Sequence, residues 1–291
     1  MLGRVLVVGD AIEDRYHFGK ATRLCLEAPV PIVEWKSREI HRGGACLVAE
    51  QLKEIIGKKN VLEAYGSLSR KNRYYADGHM VLRADEDSIS KPPEFFDTHI
   101  EMVMGLKDVT AVIVSDYGKG ALCESLAQKI IAGGKPVFVD AKHSWQWYQG
   151  AFCAFPNKFE GIGTGKRLES SNLFSHIVRK NSSAGCIVDG EEVAAYRAGE
   201  LRDGTGAGDN FLAAFVASYL RTENLKVAAR FANMVAGISV THIGTHVVRP
   251  NEIPVPPAPS QPQPQAVIEH EPEVRPARRD HGSDVIAAQV D

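Results

Sequence analysis

TAVIVSDYGKGALCESLAQKIIAGGKPVFVDAK, residues 110–142, holds a complete β-α-β unit. TAVIVSD and PVFVDA are short β-branched runs, apolar on both faces and closed by a polar residue. Such runs suit strands buried within a parallel sheet. Residues 121–132 between them read as a helix. The same rhythm extends outward. RVLVVGD (4–10) and HIVRK (176–180) read as further strands, and residues 45–56, 94–106, 207–221 and 226–240 as helices. This alternation predicts an α/β fold, a mostly parallel central sheet with helices on both faces. Two segments break the pattern. PVPIVEWKSREIH (29–41) and NRYYADGHMVLRAD (72–85) alternate apolar and polar residues, and the second carries a turn at Asp77-Gly78. They predict a small outlying β lid, strands about 30–41 and 72–85, placed to cover a cleft.

Composition narrows the function classes. The chain has 291 residues, with 34 Lys and Arg against 36 Asp and Glu. A net charge of −2 gives no reason to expect nucleic acid as a partner. Cys25, Cys46, Cys123, Cys153 and Cys186 are scattered without a C-x-x-C pair, which indicates neither a zinc ribbon nor a disulfide framework. No run of 18 apolar residues predicts a membrane span, and the N-terminal apolar run is too short for a signal peptide, so a cytoplasmic location is expected. Eight of the 15 prolines fall after residue 253. Residues 1–253 therefore read as the folded domain, and 254–291 as a Pro/Gln-rich disordered tail.

The chemistry points to DGTGAGDN, residues 203–210, running into FLAAFVASYL. Gly204, Gly206 and Gly208 allow a tight turn and close backbone approach to a ligand. The helix behind them starts with free N–H groups and a positive dipole end, which together attract an anion. Asp209, in its first turn, is placed to accept a proton from an incoming hydroxyl. Amides of Gly206, Ala207 and Gly208 holding developing negative charge, with a carboxylate activating the nucleophile, make a phosphoryl-transfer site. The plainer alternative is a glycine-rich loop with Asp209 as a capping acid. The kinase reading requires that carboxylate to reach an open cleft and those amides to be unused.

D-G-T-G-A-G-D resembles the D-x-x-G-A-G-D signature of the ribokinase-like (PfkB-type) carbohydrate kinases. VVGDAIEDRYHFG (7–19), LEAPVPIVE (26–34), GGACLVAEQL (43–52), SDYGKGAL (115–122), VDAK (139–142) and FPNKFE (155–160) follow in that family's order. They are most similar to the D-glycero-D-manno-heptose-7-phosphate kinases of lipopolysaccharide precursor synthesis. The resemblance spans about residues 3–250. It implies a three-layer α/β/α ribokinase-like fold and phosphorylation of a heptose 7-phosphate at its anomeric hydroxyl, using ATP and Mg²⁺. Alternatives are another sugar or a nucleoside as acceptor, or a non-catalytic relative that only binds.

The resemblance also implies site roles. Asp10, Asp14, Arg15, Gly43, Gly44, Asp116, Lys119 and Lys142 fall on the sugar side. Read alone, Asp14 serves equally as a turn acid paired with Arg15, and Lys119 and Lys142 as solvated lysines. Asn157 and Glu160 match the N-x-x-E motif that holds water around Mg²⁺, although N-x-x-E is also a helix cap with its N3 acid. Lys180, Gly185, Thr205, Gly206, Gly208, Asn233 and Gly244 fall on the ATP side, with Arg179 and Asn181 beside Lys180. Members of the family often pair through the lid, which implies a possible homodimer.

Departures are equally legible. Leu47 stands where the family has Asn, and Leu26 also departs from it on the presumed sugar side. The Thr of the family's T-x-G-x-x-G is missing from RKNSSAG (179–185). The helix and strand that usually separate NVLEAYGSLSR from NRYYADG are absent, and residues 160–176 are compressed. Heptose kinases are often fused to a nucleotidyltransferase, and nothing after residue 253 resembles one, so that activity is not expected. GIGTGKR (161–167) fails as a P-loop, because Glu160 occupies the first glycine and Arg167 the Ser/Thr. VVGDAIEDRYHFG lacks G-x-G-x-x-G, which excludes a dinucleotide fingerprint. His242 and His246 lie four apart with Gly244 between them and no evident third ligand, and read as ordinary loop histidines. The aromatics of WQWYQGAF (145–152) read as sheet-edge packing.

Overall fold

The computed structural model describes residues 3–87, 95–160, 168 and 171–254. GIGTGKR, most of the compressed stretch and the tail from 255 onward lie outside the described residues. Six parallel strands form the centre of the sheet, in the order β3 (Val61–Ala76), β1 (Arg4–Leu24), β5 (Val109–Asp116), β6 (Val137–Ala141), β7 (Cys153–Ala154), β8 (His176–Lys180). Two short antiparallel strands, β9 (Cys186–Val188) and β10 (Glu191–Val193), close one edge. The other edge is a hairpin of β3 with β4 (His79–Glu86), turning at Asp77-Gly78.

The period of two along each strand decides which layer a side chain joins. Val5, Val7, Ala111 and Ile113 pack on one face with α1 (Ala45–Ile56), α4 (Ala207–Thr222) and α5 (Leu225–Ser239). Leu6, Val8, Val112 and Val114 pack on the other with α2 (Phe95–Met104) and α3 (Glu124–Ala132). This is the three-layer α/β/α architecture. Trp145 and Tyr148 are packed in the second core.

Three departures from the sequence reading position the site. First, β1 does not end at Asp10. β5 pairs with residues 4–9, and β2 (Pro31–Gly44) then takes over as antiparallel neighbour from Ala11 to Leu24. Second, β3 runs unbroken from the core sheet into the lid and pairs with β1 as far as Gly19–Ala76. The lid is thus an extension of the central sheet, not a separate one, because the connecting helix and strand are missing. Third, α3 starts at Glu124 rather than Ala121, and the Ala121 N–H is held by the Asp10 carboxylate at 3.0 Å.

Candidate active site

Where β1 changes neighbour and β5 ends, a crevice opens at the carboxyl ends of the strands, the place where open α/β sheets bind ligands. A cavity of about 480 Å³ lies there. The lid supplies Lys71, Arg83 and Asp85 to its wall, and the core strand ends supply Tyr117, Lys119, Lys142, His143, Asn157 and Glu160.

The glycine turn approaches this region from α4. Gly206 adopts φ 78° as the residue capping α4, and a Cβ there would come within 2.5 Å of Leu47 Cδ2 and 3.1 Å of Thr245 Cγ2. Only glycine fits the conformation and the space. Asp203 holds the turn by accepting from the Thr205 N–H (2.9 Å), the Thr205 hydroxyl (2.6 Å) and the Gly244 N–H (3.0 Å). The Ala207 N–H donates to the Gly204 carbonyl at 3.3 Å. The N–H groups of Gly206 and Gly208 have no partner among the described residues. Of the three amides expected to face an anion, Gly206 and Gly208 are open and Ala207 is not. Lys180 Nζ lies close by, 3.5 Å from the position a Gly208 Cβ would take.

Asp209 is 4% exposed. The Tyr117 hydroxyl donates to both its carboxylate oxygens, at 2.9 and 3.0 Å. Burial, reinforced by the nearby Asp140 charge, pushes the Asp209 carboxyl up to about 7, against the opposing pull of Lys142, the Tyr117 hydroxyl and Lys180. A carboxyl titrating there is poised as a general base near neutral pH. It is one side chain away from the cavity, and that side chain is Tyr117. Burial also drives the Tyr117 phenol upward, beside the Asp209 charge, so it remains a donor. The ammonium groups of Lys71 and Lys142 each lie 5.1 Å from the Tyr117 ring centroid.

Asp140, at the end of β6, organises the cations. Lys142 Nζ approaches its Oδ1 at 3.2 Å and Lys180 pairs with its Oδ2. Burial works against the Asp140 charge, yet the two lysines hold its carboxyl below the usual range. Lys142 also reaches Glu160 at 3.3 Å. Asn157 and Glu160 close a reciprocal cap. Asn157 Oδ1 accepts from the Phe159 and Glu160 N–H groups, and the Glu160 carboxylate accepts from the Asn157 backbone and side-chain N–H groups.

Several residues expected on the sugar side have other partners. Asp10 accepts from the N–H groups of Tyr117 (2.7 Å), Lys119 (3.1 Å) and Ala121 (3.0 Å). It anchors the loop that carries Tyr117, and it is not among the residues that line the cavity. Asp116 accepts from Gly118 N–H at 2.8 Å and the Tyr148 hydroxyl at 2.6 Å, and is buried. Arg15 pairs with Glu13, because neighbouring residues of a strand face opposite ways. Asp14 pairs instead with Arg73 across β1 and β3, at 2.5 Å. Gly43 lies against the Asp14 carboxylate, in space a Cβ would fill, and Gly44 caps α1. Lys119 lines the cavity and pairs with Asp87. Leu47 is buried against the glycine turn, and Leu26 is fully exposed, so neither lines the cavity.

On the other side, Asn233 is buried. Its amide donates to the carbonyls of Val193 (3.1 Å) and Ala194 (2.9 Å), fastening α5 to the sheet edge. The Gly185 N–H donates to Ser182 O at 3.1 Å within a tight turn. Gly244 faces His41 and Tyr16 of the lid strands. Asp140, Tyr117, Lys71, Arg83 and His143 are the site residues that sequence reasoning did not select. VDAK and SDYGKG did flag the first two as neighbours of chosen residues. The lid cations gave no signal, since charged residues on a short strand usually face solvent.

A cleft at the strand ends, open amides at a helix start and a buried carboxylate pushed up to about 7 are an arrangement suited to group transfer on anionic phosphate. The comparisons with known proteins make the class specific. Residues 106–252 match the model of the pfkB family carbohydrate kinases, and the chain belongs to that family. It is 29% identical to a bifunctional protein HldE of Nitratiruptor sp., over 87% of this chain and 64% of that protein. To the bifunctional protein HldE of Vibrio atlanticus it is 31% identical, over 86% and 62%. The chain thus spans a little under two thirds of the length of these relatives. Arabidopsis thaliana ribokinase, solved with ribose and ATP, shares 17% identity with a TM-score of 0.63, over 87% of this chain and 96% of that one. The kinase fold is therefore that of ribokinase. Among the described residues no helix is long and apolar enough to cross a membrane.

Proposed function

We propose that this chain transfers the terminal phosphoryl group of ATP to the anomeric hydroxyl of a heptose 7-phosphate, in the cytoplasm. The observation that carries the acceptor class is the cavity beside Asp209. It is walled by Lys71, Arg83, Lys119, Lys142 and His143 against the carboxylates Asp85 and Glu160. Arg83, Lys119 and Lys142 are each paired with a carboxylate, and four cations gathered on one cavity suit an acceptor that already bears a phosphate. The likeness to bifunctional HldE proteins over most of the chain supports a heptose.

In this reading the acceptor hydroxyl displaces Tyr117 from Asp209. The bond from the terminal phosphorus to the ADP oxygen breaks as a bond to the anomeric oxygen forms, and the hydroxyl proton passes to Asp209. The Gly206 and Gly208 amides and Lys180 hold the charge on the moving group. Glu160, Asp140 and Asn157 present only oxygen ligands near the cavity, the donor set that hydrated Mg²⁺ prefers, and would hold it through water. Bound there, the ion neutralises phosphate charge.

The test is ATP consumption across a panel of free and phosphorylated sugars. Turnover with phosphorylated heptose, and a KM raised at least tenfold by Lys71→Ala or Lys119→Ala, is expected. Equal turnover on unphosphorylated sugars would remove the acceptor assignment. The covered Asp209 and Leu47 favour a second reading, a non-catalytic relative. Calorimetry showing nucleotide binding with no turnover on any acceptor would select it.

The outer face of the lid supports a further element of the reading, a homodimer. Trp35 is 62% exposed there, with Ile40 and Leu82 also exposed on the same face of β2 and β4. An apolar patch of this kind is a pairing surface more often than a solvated one. Light scattering is expected to give a dimer for the wild type and a monomer for Trp35→Lys. A wild-type monomer at 50–100 μM, roughly the range where weak pairs assemble, would exclude it.

A further inference from the structure

The loop after α5 carries His242 and His246, which the sequence leaves without a third ligand. The fold supplies one. The imidazole rings lie face to face, with centroids 3.7 Å apart and planes 10° apart. Glu252, from the short turn Pro250–Glu252, brings its Oε2 to 2.7 Å from His246 Nε2. One donor atom from each of the three side chains lies within 4.8 Å of the other two. The His246 and Glu252 side chains are partly buried and the His242 side chain is exposed, all three away from the cavity walls.

The surroundings fit a ligand set. His242 Nδ1 lies 3.4 Å from the Ile238 carbonyl and 3.2 Å from the Thr241 hydroxyl. An Nδ1–H donated there leaves the Nε2 lone pair outward, the outer contact that orients metal-bound histidines. Bonds of about 2.0–2.2 Å put two ligands on one ion roughly 3–4 Å apart, so a shift of about 1 Å in one side chain closes the set. Two imidazoles and a carboxylate select a borderline transition ion over Mg²⁺ or Ca²⁺, which prefer oxygen alone. We propose that His242, His246 and Glu252 bind one Zn²⁺-class divalent ion, with water completing the coordination.

The loop that would be tied down is wired to the catalytic turn. The His246 carbonyl accepts from Asn210 Nδ2 at 2.9 Å, beside Asp209, and the Gly244 N–H donates to Asp203. Gln51 of α1 bonds both the N–H and the carbonyl of Val248, at 2.7 and 2.9 Å. An ion here braces the wall behind the glycine turn from outside the reaction centre.

The test titrates chelator-treated full-length protein with Co²⁺ and then Zn²⁺, under excess Mg²⁺ to fill oxygen-only sites. One equivalent of Co²⁺ with a visible nitrogen/oxygen-ligand spectrum, lacking the near-ultraviolet thiolate band, is expected. Zn²⁺ should displace it and raise Tm. His242→Gln, His246→Gln and Glu252→Gln should each weaken binding about 10–100-fold, the range seen when ligation shells are disturbed. Metal-free Tm and circular dichroism of each variant report folding, and any one folded variant suffices. No binding up to 1 mM, unchanged affinity in a folded variant, or a thiolate spectrum would overturn the site.

Discussion

Asp209→Asn is expected to lower kcat for sugar phosphorylation by about 10²–10⁴-fold, the usual contribution of a positioned general base. The wild-type pH profile of kcat/KM should rise about tenfold per pH unit below neutrality and level off above about 7, where burial has placed the Asp209 carboxyl. The residual activity of Asp209→Asn should lack that limb. Tyr117→Phe removes a hydrogen bond that favours the charged carboxylate, so the midpoint of the limb should move upward. Stability follows the same group with a definite sign. Its folded-state value lies above the ordinary carboxylate range of about 4, so its favourable contribution is complete below that range. That contribution disappears as pH rises through about 7. Asp209→Asn should therefore melt higher than wild type at pH 8 and nearly alike at pH 4. Near-normal turnover in this variant would disprove the catalytic assignment.

The second large effect is on stability. Arg73 and Asp14 form an ion pair whose side chains are 8% and 4% exposed. Burial works against the Arg73 charge, and the hydrogen bond and charge of Asp14 more than offset it. Arg73→Met leaves Asp14 buried without its cation. Breaking one partner of such a pair costs about 3–5 kcal/mol, against little for replacing both with apolar residues. Denaturant unfolding is expected to show that loss for Arg73→Met and recovery of most of it for Arg73→Met with Asp14→Leu. A loss under 1 kcal/mol in the single variant would show that the pair is already solvated.

What the sequence revealed was local. The β-branched runs, the glycine turn and the start of α4 are written in neighbouring residues, and the architecture follows from their alternation. The partners of Asp10 and Asn233 lie beyond the reach of local reading because they stand far along the chain. Asp10 binds amides 107 to 111 residues away, and Asn233 binds carbonyls about 40 away. A polar residue at a strand end looks alike whether it faces a ligand or ties down a loop. Tyr117 shows the converse. Nothing within SDYGKG says that its hydroxyl ends on Asp209, 92 residues later. Glu252 became a candidate ligand only when the turn at Pro250 folded back onto His246.

β1 and β3 run from core to lid as one ladder, and its single interruption lies between Gly9 and Ala11, opposite Tyr65 to Leu68. A lid built this way behaves as a cantilever with one crease rather than as a flap on a flexible tether. Asp10 sits at that crease and holds the backbone N–H of Tyr117, so bending there would carry both. A ligand pressing on the far end of the lid would thus be felt, through a single carboxylate, at Tyr117, whose hydroxyl covers Asp209.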